Sequence, residues 1–317
     1  MLLSEFPPVA LRIFAALLGL VWGSFLNVVI HRVPRGMSVM RPASHCPACQ
    51  APIVAYRNIP VVAWLVLRGR AACCGVRISV RYPLVEAIGG VLSVAVLEML
   101  VLALPPETPA LHALMIYIAH FALVLGLVAA AFIDLEYMFI PDAISVGGAL
   151  LGLATSPIRE LPWTDSLLGG LVGFIIVWLP FEVIYSKFRG KPGMGRGDAK
   201  LTMLAGAWLG IPGALFVLGG AAVQGTLATL VVVLSGKQLT EPEAITRERE
   251  ELHRELDQMS EDERAEVLRE LALDPLADEP ERGFGKARIA FGPFLILAIL
   301  ECLFLGKERI LGWLWVG

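Results

Sequence analysis

Charge is scarce in this sequence. Lysine, arginine, aspartate and glutamate make up 17% of its 317 residues, where a soluble globular domain carries about 25%. Bases number 26 against 29 acids, so the chain lacks the basic excess of a nucleic-acid binder, and no such partner is expected. No Gly-x-x-x-x-Gly-Lys-Ser/Thr phosphate loop occurs, and no Gly-x-Gly-x-x-Gly follows a strand. Both absences argue against a nucleotide-binding α/β enzyme. Cysteine is limited to five residues, too few for a disulfide framework in a chain of this length. The first apolar segment has neither a basic start nor a small-residue cleavage site, so it is expected to stay as a helix rather than be removed.

What the chain does have is apolar length. Hydrophobic residues reach 56%, and the mean hydropathy is +0.71. The excess is concentrated in runs at 9–30, 84–104, 111–133, 167–185 and 213–234. Each is near the roughly 20 residues that cross a bilayer. With shorter apolar stretches near 142–157, 198–212 and 290–306, the pattern predicts an all-α polytopic membrane protein with about eight transmembrane helices. The segment "GGALLG" in the fourth suits close backbone packing. The tail "GKERILGWLWVG" has tryptophans suited to a membrane interface.

The little charge there is has a pattern. Residues 31–83 hold eight arginines and no acid, and 187–200 hold five bases. Loops near 105–110 and 157–164 hold almost none. Basic loops stay cytoplasmic, so the N-terminus is expected outside. Residues 237–288 are of another kind, with sixteen acids and nine bases. "TEPE" and "SEDE" there fit capping boxes, and Ile245, Leu252, Leu256 and Met259 recur at helical spacing. This reads as a cytoplasmic helical hairpin, a solvated spacer more than a site, with self-association as a secondary use. The expected division is 1–30, 31–82, 83–236, 237–288 and 289–317: first helix, cysteine-containing segment, membrane core, charged insert, and last helix with tail.

Acids at membrane depth are costly and need a reason. Asp134 closes the third helix in "IDLEYMFIPD", Asp142 follows Pro141, and Asp198 follows three alternating glycines in "GMGRGDAK". All three fall on the cytoplasmic side of the expected topology. Asp142 stands where an ordinary N-cap belongs. The glycines before Asp198 allow backbone conformations and close approaches that a simple cap does not need. Glu86, Glu98, Glu182 and Glu301 rank lower. Two aspartates from separate helices make chemical sense as an aspartic protease pair. One carboxylate takes a proton from water while the other, protonated, polarises the scissile carbonyl. An ion or proton relay in a transporter or assembly scaffold is the alternative use of the same acids.

Four cysteines fall in the basic segment, where metal is favoured over a disulfide. "CPAC" puts Cys46 and Cys49 at zinc-knuckle spacing, and "AACCGV" supplies Cys73 and Cys74. Cys302 reads as a small buried apolar residue.

The segments "GSFLNVVIHRVPRG", "CPAC", "NIPVVAWLVLRGR", "RYPLVE", "IDLEYMFIPD", "GMGRGDAKL" and "FGPFL" occur in this order. Together they resemble the type IV prepilin leader peptidase family, many of whose members are also N-methyltransferases. The resemblance spans nearly the whole chain except the insert. It implies a GxGD-type aspartic intramembrane protease of the bacterial inner membrane, with Asp134 and Asp198 catalytic and Asp142 not. Gly195, Gly197 and Lys200 would form the active-site loop. The implied substrates are prepilins or pseudopilins, cut after a glycine and before a phenylalanine-type residue, past a short basic leader. S-adenosylmethionine is the implied methyl donor, and proteolysis needs no metal. A presenilin-like protease would need a Pro-Ala-Leu motif where this chain has "FGPFL".

One segment departs from that pattern. The family has Cys-x-x-Cys where this chain has Ala71 followed by adjacent Cys73 and Cys74. Adjacent cysteines rarely both reach one ion in knuckle geometry. Three outcomes stay open: zinc on Cys46, Cys49, Cys73 and Cys74; a site in which His45 replaces Cys73; or no stable metal. The four-cysteine zinc site is the expected one.

Overall fold

The computed structural model describes residues 1–46, 48–189, 193–235, 242–260, 263–264, 267 and 289–306. It is all helical. α1 is Pro8–Arg32. α2 is Arg81–Val96, extended by a wider π turn over Leu97–Val101. α3 is Ala110–Tyr137, and α4 is Asp142–Thr155. α5 starts as Trp163–Val177, widens over Trp178–Ile184, and ends as Tyr185–Arg189. α6 is Arg196–Leu234, α7 is Glu243–Leu256, and α8 is Gly292–Leu305. Helices therefore form at all eight expected places in the membrane part.

Five stretches are long and apolar enough to cross a bilayer: α1, α2 with its π turn, α3, the whole of α5, and α6. Two differences from the expected eight have simple causes. α4 and α8 have 14 residues each, about 21 Å of helix against a hydrocarbon core of roughly 30 Å. The expected sixth and seventh helices join as α6, broken at Gly210 with φ 74° and ψ −177°. Only glycine adopts that geometry readily, and Pro212 just beyond has no N–H to rebuild the ladder.

The chain divides into two compact units, chiefly Met1–Ala130 with Ala154–Leu161, and Ala131–Leu153 with Pro162–Leu303. In the first, α1 and α2 meet along small residues. A Cβ on Gly23 would lie 2.8 Å from Glu86 Cα, and one on Gly89 would lie 2.9 Å from Gly23 Cα. Such a seam lets dispersion act between backbones where no hydrophobic effect is available. Ser93 donates to the Ala15 carbonyl at 2.5 Å, and Asn27 to the Tyr82 carbonyl at 3.1 Å. The cysteine segment between α1 and α2 has short antiparallel bridges at His45–Pro52 and Arg70–Arg77. Buried Glu86 ties it to α2 by accepting the Val61 N–H at 2.6 Å. Val61 has φ 61°, and the next N–H bonds back to Pro60 at 2.6 Å. This tight turn is strained for a β-branched residue, and the Glu86 bond holds it.

In the second unit α5 and the first arm of α6 pack backbone to backbone. A Cβ on Gly206 would fall on the Gly169 carbonyl, and one on Gly173 on the Thr202 carbonyl. Ser166 donates to the Ala207 carbonyl at 2.7 Å. α4 joins through Trp208, 2% exposed, whose indole N–H reaches the Gly148 carbonyl at 2.8 Å. α7 buries Ile245 and Leu256 along one side. It begins with Pro242 at its N-cap, and Thr240 lies outside the described residues. At the second expected capping box, Glu263 accepts the Ser260 N–H at 3.1 Å and its hydroxyl at 2.7 Å. The second arm of the hairpin past Val267, the acidic linker, and the tail from 307 also lie outside the described residues.

Gly206→Val drives a side chain into the Gly169 carbonyl. The expected cost is about 1–3 kcal/mol, as for other overpacked interiors. Thermal unfolding in detergent should show a lowered midpoint, and an unchanged one would contradict the backbone contact.

Candidate active site and metal centre

α3 does not stop at Asp134. It continues one further turn, so Asp134 is a buried residue within the helix, 5% exposed, and not an exposed end. The helix closes through Met138, whose N–H bonds to the Asp134 carbonyl at 2.9 Å and whose φ is 52°. A left-handed methionine costs about 1–2 kcal/mol where glycine would cost little. The turn it makes redirects the chain and buries Ile140, 6% exposed. A Cβ on Gly197 would lie 3.2 Å from Ile140 Cβ, and one on Gly292 would lie 3.0 Å from Ile140 Cδ1. Ile140 thus packs against both the Asp198 helix and the start of α8.

Gly292 comes from "FGPFL", and its N–H donates to Asp134 Oδ2 at 3.0 Å. A Cβ there would lie 2.6 Å from the same oxygen. Sequence reasoning quoted this motif without giving Gly292 a task. The signal was a glycine directly before a proline, but nothing local says that the N–H serves a carboxylate 158 residues away.

Asp198 sits in the first turn of α6, which starts at Arg196, so it is inside the helix and not its N-cap. Gly195 is the N-cap, with φ −70° and ψ 147°, and Gly197 and Lys200 are helical, not in a loop. None of the three glycines has a positive φ. Their smallness serves close approach instead. Gly197 faces Ile140, and a Cβ on Gly193 would lie 2.9 Å from Tyr185 Cδ1. Ile140 brings the two acids to one place, because it packs on Gly197, next to Asp198, and on Gly292, whose N–H holds Asp134.

The cations around the pair are engaged elsewhere. Lys200 Nζ reaches Asp142 Oδ1 at 2.6 Å, and Arg196 Nε reaches Glu182 Oε1 at 2.5 Å. Glu182 keeps its buried Oε2 without a partner among the described residues. Among those residues no basic side chain pairs with Asp134 or Asp198. The other lower-ranked acids have structural partners too: Glu86 holds Val61, Glu98 pairs with Arg12, and Glu301 accepts from Gln224 at 2.7 Å.

The four cysteines converge. Their sulfurs all lie within 4.8 Å of one another, with Cys46–Cys74 at 3.7 Å, Cys49–Cys73 at 3.3 Å and Cys73–Cys74 at 3.9 Å. Four thiolates about 2.3 Å from one tetrahedral ion would stand about 3.8 Å apart. The donor set therefore fits a thiolate-preferring metal. Both adjacent cysteines join the cluster, against the usual behaviour of knuckles, and His45 instead faces the Ala43 carbonyl at 3.0 Å. Backbone N–H groups of Cys49 and Ala48 lower the Cys46 thiol to about 6, whereas hydrogen bonds to Cys49 and Cys46 push Cys73 up to about 12. Apposed sulfurs cannot all ionise unaided, and a cation at their centre removes that conflict.

Apolar helices of spanning length and two acids with no basic partner among the described residues are what comparison with known proteins must account for. The bacterial peptidase A24 N-terminal domain matches residues 17–100, and the type IV leader peptidase family matches 121–230. A prepilin leader peptidase/N-methyltransferase of Myxococcus xanthus (strain DK1622) is 35% identical over 313 residues, 93% of this chain and 90% of that one. Its counterpart in Neisseria gonorrhoeae is 34% identical over 270 residues, 77% and 90% of the two chains. A third, from Aeromonas salmonicida (strain A449), is 37% identical over 223 residues, 61% and 72% of the two. No solved structure matches. This chain belongs to the type IV prepilin leader peptidase/N-methyltransferase family, a bacterial inner-membrane family of aspartic peptidases.

The sulfur cluster carries its own test. Purified protein should hold a single thiolate-bound metal ion per chain by elemental analysis, and Cys73→Ser should lower that content. Retention of the full metal content by Cys73→Ser would exclude Cys73 as a ligand.

Proposed function

We propose that this chain is a prepilin-type leader peptidase in which Asp134 and Asp198 form the catalytic pair. The observation that carries the reading is that Ile140 and Gly292 gather these two acids, from separate helices, into one neighbourhood with no basic partner among the described residues. Such a pair holds one proton between two carboxylates and titrates as a unit. One carboxylate takes a proton from water as its oxygen attacks the scissile carbonyl. The other gives its proton to the carbonyl oxygen. Collapse of the tetrahedral adduct breaks the C–N bond, and a proton passes to the leaving amine. The products are a leader ending in a carboxylate and a shortened protein with a free α-amine. The Gly292 N–H fixes the Asp134 carboxylate, so it acts as a positioning group.

The substrates proposed are prepilins or pseudopilins with a basic leader, cut between a glycine and a phenylalanine-type residue. Their leaders would stay on the cytoplasmic side with the basic loops, the N-terminus of the enzyme lying outside. Water reaches that edge, as hydrolysis requires. The methyltransferase activity implies a methyl donor, S-adenosylmethionine by resemblance, which supplies the methyl group for the new amine. The metal proposed for Cys46, Cys49, Cys73 and Cys74 is zinc. It holds the cysteine segment together, and the cleavage steps do not involve it. The proposed domains are a first helix (1–30), the cysteine segment (31–82), the membrane core (83–236), the charged insert (237–288) and the last helix with tail (289–317). All eight apolar helices are proposed to lie in the membrane, and the insert to serve as a spacer that can also support self-association.

Asp134→Asn and Asp198→Asn should each reduce leader cleavage by about 10⁴-fold or more, while the protein stays folded in the membrane. Normal cleavage by either variant would defeat the assignment. Ion flux through reconstituted wild-type protein, with no hydrolysis of a basic-leader substrate, would favour the relay instead. Gly292→Ala, which crowds Asp134 Oδ2, should lower kcat by about 10²-fold, the scale of a misplaced catalytic group. An unaltered kcat would show that the Gly292 N–H does not position Asp134.

A further inference from the structure

An open apolar groove of 520 Å³ runs between the second arm of α6 and the start of α8. Its lining includes Ala222, Gly225, Thr226, Leu230, Phe291 and Phe294, and among the described residues no charged side chain. Thr226 and Thr229 turn their hydroxyls to the carbonyls of Ala222 and Gly225, each at 2.7 Å, so both hydroxyls are satisfied within the helix. Gly225 leaves space beneath the two rings. A Cβ there would lie 3.5 Å from both Phe291 Cε2 and Phe294 Cδ2. The rings stand 6.3 Å apart at 50°, an open arrangement that can take a third ring edge-on.

The groove adjoins the site. Phe291 directly precedes Gly292, whose N–H is on Asp134 Oδ2. The wall of the groove therefore begins one residue along the chain from the group that holds the Asp134 carboxylate. Among the described residues the wall carries no acid, so a basic leader would lose its hydration against them with nothing in return. That leaves the other side of the cut. We propose that the groove receives the apolar segment that follows the scissile bond, with its first, phenylalanine-type side chain against Phe291 and Phe294. This rests on the peptidase reading. It makes Gly225 and the two phenylalanines determinants of which residue can follow the cut.

The test compares two leader peptides, with phenylalanine or alanine after the cut, on the full-length protein in lipid vesicles. Gly225→Leu fills the space under the rings. It should raise KM for the phenylalanine peptide by about 10-fold or more, with a smaller change for the alanine peptide and the effect on KM rather than kcat. Ala222→Leu, on the same wall, should act in the same direction and serves if Gly225→Leu fails to fold. A photo-reactive side chain replacing Thr226 should cross-link to the apolar segment of an uncleaved substrate held by the Asp198→Asn background. Unchanged KM for both peptides, or equal loss on both, would overturn the assignment, as would cross-links to lipid chains alone. Failure of the wild type to cut either peptide would overturn the peptidase reading itself. Cleavage by the wild type with Gly225→Leu and Ala222→Leu indifferent would remove only the groove.

Discussion

Two acids gathered by Ile140 and Gly292, with no basic partner among the described residues, are the constraint around which the second unit is read. In an apolar setting an acid usually finds a base. Here the nearby bases are fixed to other acids: Lys200 to Asp142, and Arg196 to Glu182. These surface pairs contribute little stability by themselves. Their effect is directional, because each draws a positive charge away from Asp198 while keeping it on the same helical turn. Asp134 receives a neutral donor, the Gly292 N–H, which orients the carboxylate without adding charge.

Close approach is the second requirement, and glycine supplies it. Of the two reasons the sequence offers for the three glycines before Asp198, close approach is the one that applies. Their backbones are ordinary, and what matters is the missing side chain at Gly197 and Gly193. Helix positions were legible, since apolar length is a local signal, and isolated acids stood out against it for the same reason. Met138, Ile140 and Gly292 were not. A left-handed methionine has no local signature, and the value of Ile140 lies in touching two elements far apart in sequence. The break at Gly210 was legible as a Gly-Ile-Pro stop, whereas the shortness of α4 and α8 blurred the count of crossings.

The cysteine segment gives the opposite lesson. Spacing rules treat adjacent cysteines as awkward, yet all four sulfurs gather within 4.8 Å. Cys46 is buried, and Cys49, Cys73 and Cys74 are exposed beside it. A short antiparallel bridge shapes each half of the segment, and the two halves meet at the sulfurs across 24 to 28 residues, a separation that spacing within either pair does not reveal. The strained turn at Val61, held by Glu86, fastens the same segment to α2.

The break at Gly210 bears on how the protein is assembled. A straight helix of the length of α6 would extend about 58 Å, nearly twice the depth of a bilayer's hydrocarbon. Hinged near its middle, the same run can enter the membrane as a hairpin and return to the face from which it came. Asp198 lies at one end of that hairpin and the groove residues lie along the other arm. One broken helix therefore carries both the acid and the apolar wall, so a change in the angle at Gly210 would move one against the other.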